Sequence, residues 1–375
     1  VARPHLTVRE KIGQLFMIGF MGTSVTPDLA EFLRTYKPGG VILFSRNLES
    51  VGQIVELTND LQQCNPKSPL LISIDQEGGR VSRLPAGFTI FPPCEVLGRC
   101  NSAELTYAAA ATIAKELRAV GINMNMAPVL DVNSNPDNPI IGDRAFGTTP
   151  DLVSEAGILT AAGLQDNLVV ACGKHFPGHG DTAADSHKEL PVVEAGRERL
   201  DAVELAPFRR AAAAGVAAMM TAHVLYKALD AQRPATLSPL IITGLLRDQL
   251  RYDGVVLTDD LEMNAIVDHY GIADAAVRAV QAGCDVLLIC KDQAREVEAF
   301  EAIEQSVAAG DITMDRLDQS VARIQRVKQR YVVPYRPVSI SEARLVAGCR
   351  THRALLQSVH QTGARMAKAA IPQVL

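Results

Sequence analysis

The chain has 375 residues, with 37 Lys and Arg against 42 Asp and Glu, for a formal net charge of −5. Hydrophobic residues make up 47% and charged residues 21%, a globular profile that excludes a disordered or collagen-like chain. A mildly acidic chain without a basic run lacks the electrostatic footprint of a nucleic-acid binder, and no nucleic-acid partner is expected.

Eight short apolar runs recur along the chain, each followed by a helix-like segment. They are Leu15 to Phe20, Gly40 to Phe44, Leu70 to Ile74, Ile122 to Val129, Leu168 to Gly173, Val216 to Thr221, Gly254 to Leu257 and Asp285 to Ile289. Each is rich in Val, Ile and Leu and does not alternate, as expected of parallel strands covered on both faces. The intervening segments carry helix-start signals. Ser50 with Gln53 reads as a capping box, and Ser238-Pro239 as an N-cap before an N1 proline. Leu317, Val321, Ile324, Val327 and Tyr331 share one helical face. Eight strand–helix alternations predict a (β/α)8 TIM barrel, with an open doubly wound sheet as the other arrangement that periodicity allows. Residues 1–334 are read as the catalytic barrel, and 335–375 as a linker and terminal helix, Ser341 to Ala370, forming a C-terminal appendage of a single domain.

The most apolar stretch, Ala211 to Ala222, is shorter than the about 20 residues of a membrane span, so no membrane partner is expected. Val1 to Leu6 carry no apolar signal core. Cys64, Cys94, Cys100, Cys172, Cys284, Cys290 and Cys349 match no metal or redox spacing, and buried reduced thiols in a cytoplasmic protein are expected.

In such a barrel the chemistry sits beyond the carboxyl ends of the strands. Polar groups collect there after five runs: Asp75 to Arg83, Asp131 and Gly142-Asp143-Arg144, Lys174 to His187, His223, and Thr258-Asp259-Asp260. Five such ends make a coherent polar cup, because charged residues are seldom buried without partners. Successive strand side chains point to opposite faces, so one of Asp259 and Asp260 is expected at the mouth. Asp259 is the better reactive carboxylate, with Asp260 capping the next helix. His175 and His179 would pair as metal ligands on a helix, but Gly173, Pro177, Gly178 and Gly180 rule the helix out, and no metal is expected. Taken alone, His187 is either a solvated loop histidine or a proton donor oriented by Asp185.

Lys174-His-Phe-Pro-Gly-His-Gly-Asp-Thr-Ala-Ala-Asp-Ser-His-Lys-Glu-Leu-Pro191 resembles the long signature of glycoside hydrolase family 3, in its β-N-acetylglucosaminidase branch. Ile74 to Val81, Gly142 to Phe146, Pro234 to Ser238 and Val256 to Met263 match the same family in the same order. The resemblance covers about residues 7 to 333. It implies a retaining mechanism without cofactor, with Asp259 as nucleophile, His187 as acid/base and Asp185 as its partner. It also implies that Asp75, Arg83, Arg144, Lys174 and His175 hold the sugar. The Asp185-Ser-His187 triplet, and the want of room for the family's second domain, point to N-acetylglucosamine at the non-reducing end, on a muropeptide or chitooligosaccharide. An acidic, signal-less single barrel of this branch resembles a cytoplasmic enzyme of cell-wall recycling, and a monomer is expected. A phosphorylase is the nearest alternative, since a neutral histidine does not repel phosphate. A β-glucosidase of the family, an inactive sugar-binding barrel and a metal-dependent hydrolase are the others.

Overall fold

The computed structural model describes residues 6–182 and 190–369. Eight parallel strands close into a barrel: β1 (Phe16–Ile18), β2 (Gly40–Leu43), β3 (Leu71–Ile74), β4 (Met124–Asn125), β5 (Val170–Phe176), β6 (Ala218–Thr221), β7 (Val255–Asp260) and β8 (Val286–Ile289). Neighbours follow chain order, and β8 returns to β1 with Phe16 opposite Leu287, which closes the sheet and removes the open alternative. All eight expected runs are strands. Seven of them are buried along nearly their whole length, which is why they read as continuous apolar segments.

Their lengths differ from expectation where the ladder breaks. β4 has two residues, because Pro128 has no N–H to donate. The ladder resumes only at the bridge between Val129 and Lys174. β5 and β7 each run farther than their apolar runs, through Lys174-His175-Phe176 and through Asp259-Asp260.

The start signals act locally. Ser50 accepts the Gln53 N–H at 3.2 Å ahead of the helix Val51–Gln63. Gln53 takes the Glu49 N–H at 2.9 Å instead of that of Ser50, so this capping box stays half formed. The face Leu317, Val321, Ile324, Val327 and Tyr331 of the helix Met314–Tyr331 is buried against the barrel.

The tail corrects the expectation of one helix. It forms Ile340–Val346 and Arg350–Ala369, broken at Gly348. Gly348 has φ +54°, and a Cβ there would lie 2.2 Å from the Gly87 carbonyl oxygen. Its N–H donates to Glu116 Oε1 at 2.9 Å, and His352 Nδ1 lies 2.7 Å from the same oxygen. The preceding segment docks through Asn59, whose Oδ1 accepts from Tyr335 Oη at 2.6 Å and from the Val338 N–H at 3.0 Å. The tail is thus pinned to the barrel wall.

Candidate active site

At the C-terminal mouth lies a cavity of about 420 Å³. Asp75 from the end of β3, Arg83 and Arg144 from loops, Lys174 and His175 from β5, and Asp259 from β7 all line it. Six of the eight expected site residues therefore converge. The other two, Asp185 and His187, lie outside the described residues.

Adjacent residues reach this cavity from one strand because two ladders carry bulges. Between β5 and β6 the register passes from Gly173 opposite Met219 to Phe176 opposite Thr221, three residues against two. The extra residue turns both Lys174 and His175 to the mouth, where an unbroken pleat would send them to opposite faces. Between β7 and β8 the register passes from Leu257 opposite Val286 to Asp260 opposite Leu288, again three against two. Asp259 and Asp260 consequently both line the cavity. This corrects two expectations, that one of the pair faces the mouth and that Asp260 caps a helix. Asp260 Oδ1 accepts the Glu262 N–H at 3.1 Å, in a turn before the helix Asn264–Tyr270.

The charges form a compensated chain. Lys174 Nζ is buried, 2.7 Å from Asp75 Oδ1 and 2.6 Å from Glu77 Oε1. Arg144 grips Glu77 with two hydrogen bonds, Nε and Nη2 each at 2.8 Å. Burial alone would push the Glu77 carboxyl up. Lys174 and Arg144 outweigh it and hold the group well below the usual carboxylate range. Burial would likewise lower Lys174, and Asp75 and Glu77 reverse that, so its ammonium stays charged.

His175 is aimed by Asp131, a fully buried carboxylate after β4. His175 Nδ1 lies 2.7 Å from Asp131 Oδ2. Asp131 Oδ1 also accepts the backbone N–H of His175 at 3.1 Å and of His179 at 2.7 Å. With Nδ1 occupied, Nε2 is the nitrogen left to the cavity. His179 is buried beside Thr182, its Nδ1 2.8 Å from Oγ1, and burial together with the nearby His175 lowers its pKa to about 4. Asn138 holds this loop through the carbonyls of His179 and Gly180, at 2.9 and 3.1 Å.

Asp259 is kept ionised. Burial would raise its pKa, but His223, His175, the Asp260 N–H and Lys174 together lower it. That N–H donates to Asp259 Oδ1 at 2.8 Å. Its neighbour behaves oppositely: burial pushes Asp260 up to about 7, helped by the charges of Glu262 and Asp259. His223 fixes this strand end, with Nε2 2.9 Å from the Asp260 carbonyl oxygen and Nδ1 2.8 Å from Thr236 Oγ1.

Arg83 is the loosest of the set. It sits 4.0 Å from Asp75 Oδ2, and its Nε is buried without a hydrogen-bond partner among the described residues. A buried donor left unmatched on a cavity wall is ready for a ligand oxygen.

Glu77, Asp131 and Asp260 are the functional residues that sequence reasoning did not select. Asp131 carried a signal as the first charged group after the fourth run. Glu77 stood inside the Asp75-Gln-Glu-Gly-Gly segment with nothing to mark it as buried.

The profile described as the glycosyl hydrolase family 3 N-terminal domain matches residues 7–327. The chain belongs to glycosyl hydrolase family 3. It is 35% identical to Beta-hexosaminidase A of Pseudoalteromonas piscicida, over 100% of this chain and 68% of that protein. It is 39% identical to Beta-hexosaminidase of Methylococcus capsulatus, over 78% of this chain and 87% of that one. Among solved structures, the family 3 β-N-acetylglucosaminidase of a Paenibacillus species (strain FPU-7) superposes with a TM-score of 0.89 at 46% identity. That match covers 96% of this chain and 69% of the other.

Proposed function

We infer that the protein is a retaining β-N-acetylhexosaminidase that releases terminal N-acetylglucosamine from the non-reducing end of β-linked substrates. Asp259 carries this reading. It is an ionised carboxylate in a cavity whose volume falls in the range of small-ligand sites, about 300–1,000 Å³, walled by groups that pair with hydroxyls. The family relatives named hexosaminidases and glucosaminidase support the choice of sugar.

In the first step Asp259 attacks the anomeric carbon, the bond to the leaving oxygen breaks, and His187 gives that oxygen its proton. In the second, His187 takes a proton from water, the water oxygen attacks the same carbon, and the ester to Asp259 breaks. Two inversions give net retention. Asp75, Lys174 and Arg83 hold sugar hydroxyls, His175 presents Nε2 to the ring, and Arg144 braces the floor through Glu77. The acid/base role of His187, with Asp185 as its partner, rests on the sequence motif. The described residues on either side of that segment are anchored near the mouth. Thr182 is held by Asn138, and Val192–Val193 pairs with Leu225–Tyr226.

The same reading takes the substrate to be a muropeptide in cell-wall recycling. Its carboxylates suit the cationic rim of Arg80 and Arg83. It takes the site of action to be the cytoplasm, where seven free cysteines, six of them buried, suit a reducing compartment.

Proton NMR of the first-formed sugar tests the reaction. The β-anomer is expected, and an α-anomer rejects double displacement. Repeating the reaction in phosphate separates the phosphorylase, which alone makes a sugar 1-phosphate. Cell fractionation tests the compartment, and a periplasmic protein overturns it.

A further inference from the structure

The opposite end of the barrel, where the strands begin, holds a pocket of about 1080 Å³. Gln14 reaches it from the end of the helix Val8–Gln14, the residues around Pro66 from the approach to β3, and Lys328 from the helix Met314–Tyr331. Six cations line it, Arg34, Lys37, Lys67, Arg326, Lys328 and Arg330, against one carboxylate, Glu10. Lys37 pairs with Glu10 at 2.7 Å, and Arg326 with Asp253 at 2.7 Å. Arg34, Lys67, Lys328 and Arg330 make no ion pair among the described residues.

Lys328 is the telling member. It is 4% exposed, and its ammonium meets Gln14 Oε1 at 2.8 Å and Ser68 Oγ at 3.5 Å. Both partners are neutral and the third N–H has none among the described residues, whereas buried charges are ordinarily paired. The chain as a whole is acidic, with a net charge of −5, so this cationic excess is local. Burial alone lowers the Lys328 pKa to about 7, the mark of a cation with no anion beside it.

We propose that this pocket binds the phosphate group of a small organic phosphate, at a site separate from the sugar-cleaving cavity. Arginine forks and lysine point charges together suit a multiply charged tetrahedral anion. The volume exceeds what an inorganic ion fills, and Pro66, Pro69 and Val333 offer an apolar wall to an organic body.

Isothermal titration of the full chain at low ionic strength tests this, with glucose 6-phosphate, inorganic pyrophosphate, and glucose as the uncharged control. Saturable binding of both phosphates and none of glucose is expected. Lys328→Met and Arg34→Ala are each expected to weaken binding about tenfold or more, the effect of losing one charge-assisted contact. Hydrolysis of an aryl glycoside stays at the wild-type rate in both variants. Arg34 stands on the pocket rim, so its variant keeps the test open should Lys328→Met fold poorly. No saturable binding of either phosphate at millimolar concentration overturns the site. So does equal affinity in wild type and variants, which would place the anion at the arginines of the catalytic mouth. Pyrophosphate binding with glucose 6-phosphate excluded overturns the organic body.

Discussion

The two ends of the barrel handle buried charge in opposite ways. At the mouth the buried cations meet carboxylates within a hydrogen bond: Lys174 with Asp75 and Glu77, and Arg144 with Glu77. At the base, Lys328 is buried against an amide and a hydroxyl. The contrast shows what each end has been built to receive. A compensated network leaves the field around Asp259 fixed. An uncompensated cation is completed only by a ligand that brings the missing charge.

Removing the nucleophile breaks the mouth most completely. Asp259→Ala should lower turnover about 10⁴-fold or more for every substrate, the scale on which covalent catalysts lose activity with their nucleophile. Steady-state kinetics with aryl glycosides and a natural disaccharide check this. Turnover within tenfold of wild type would move the nucleophile elsewhere. His187→Ala should be selective. A dinitrophenyl leaving group departs without a proton, so that substrate should keep its first step, while a natural disaccharide slows about 10²–10⁴-fold. Equal slowing of both would make the histidine a loop residue.

Converting the mouth into something like the base is a matter of one charge. Glu77→Gln keeps the shape but takes from Arg144 its paired carboxylate and leaves Lys174 with Asp75 alone. Breaking a buried ion pair on one side typically costs about 3–5 kcal/mol, and a loss of that order is expected in urea denaturation at neutral pH. A loss below about 1 kcal/mol would show that water screens the site and that the compensation is nominal. Because Lys174 and Arg144 hold the Glu77 carboxyl below its unfolded range, its contribution is present above about pH 4.5 and lost as the pH falls. The stability of wild type and variant should therefore converge in acid.

The fold was legible in the sequence because parallel strands buried on both faces leave uninterrupted apolar runs, and all eight appeared as such. Closure rested on Phe16 meeting Leu287, which no local pattern carries. The site was legible where a charged residue closely follows an apolar run, as with Asp75, Lys174 and Asp259. It was obscured where pairing is irregular. The rule that neighbours face opposite ways fails at the two bulges, and those bulges bring Lys174 with His175 and Asp259 with Asp260 to one cavity. Glu77 was hidden for another reason. A carboxylate reads as surface until its partners Arg144 and Lys174, from two other loops and strands, are known to meet it. The break at Gly348 is of the same kind, since it depends on Glu116 and Gly87, both remote in sequence. The basal cations are the extreme case, for Arg34, Lys67 and Lys328 come from three distant segments.

Asp260 offers the finest comparison, because it is one carboxylate beside another at the same strand end with the opposite tendency. Burial, with the charges of Glu262 and Asp259 beside it, raises Asp260 to about 7, well above its unfolded value near 3.8. A group raised in this way binds its proton more tightly in the folded state. Its stabilising contribution is full below about pH 4 and is lost as the pH rises through about 7. Asp260→Asn should remove that loss, since the amide is neutral throughout and its oxygen can still accept the Glu262 N–H. Urea denaturation of both proteins at about pH 5 and about pH 8 reads the difference. The variant should gain on wild type at the higher pH and match it at the lower, the smallest effect among these because one partly exposed group carries it. An unchanged difference between the two pH values would mean that Asp260 is ionised throughout. Asp259 and Asp260 would then face each other as two like charges, and His223, His175, the Asp260 N–H and Lys174 would have to hold the nucleophile ionised against that repulsion.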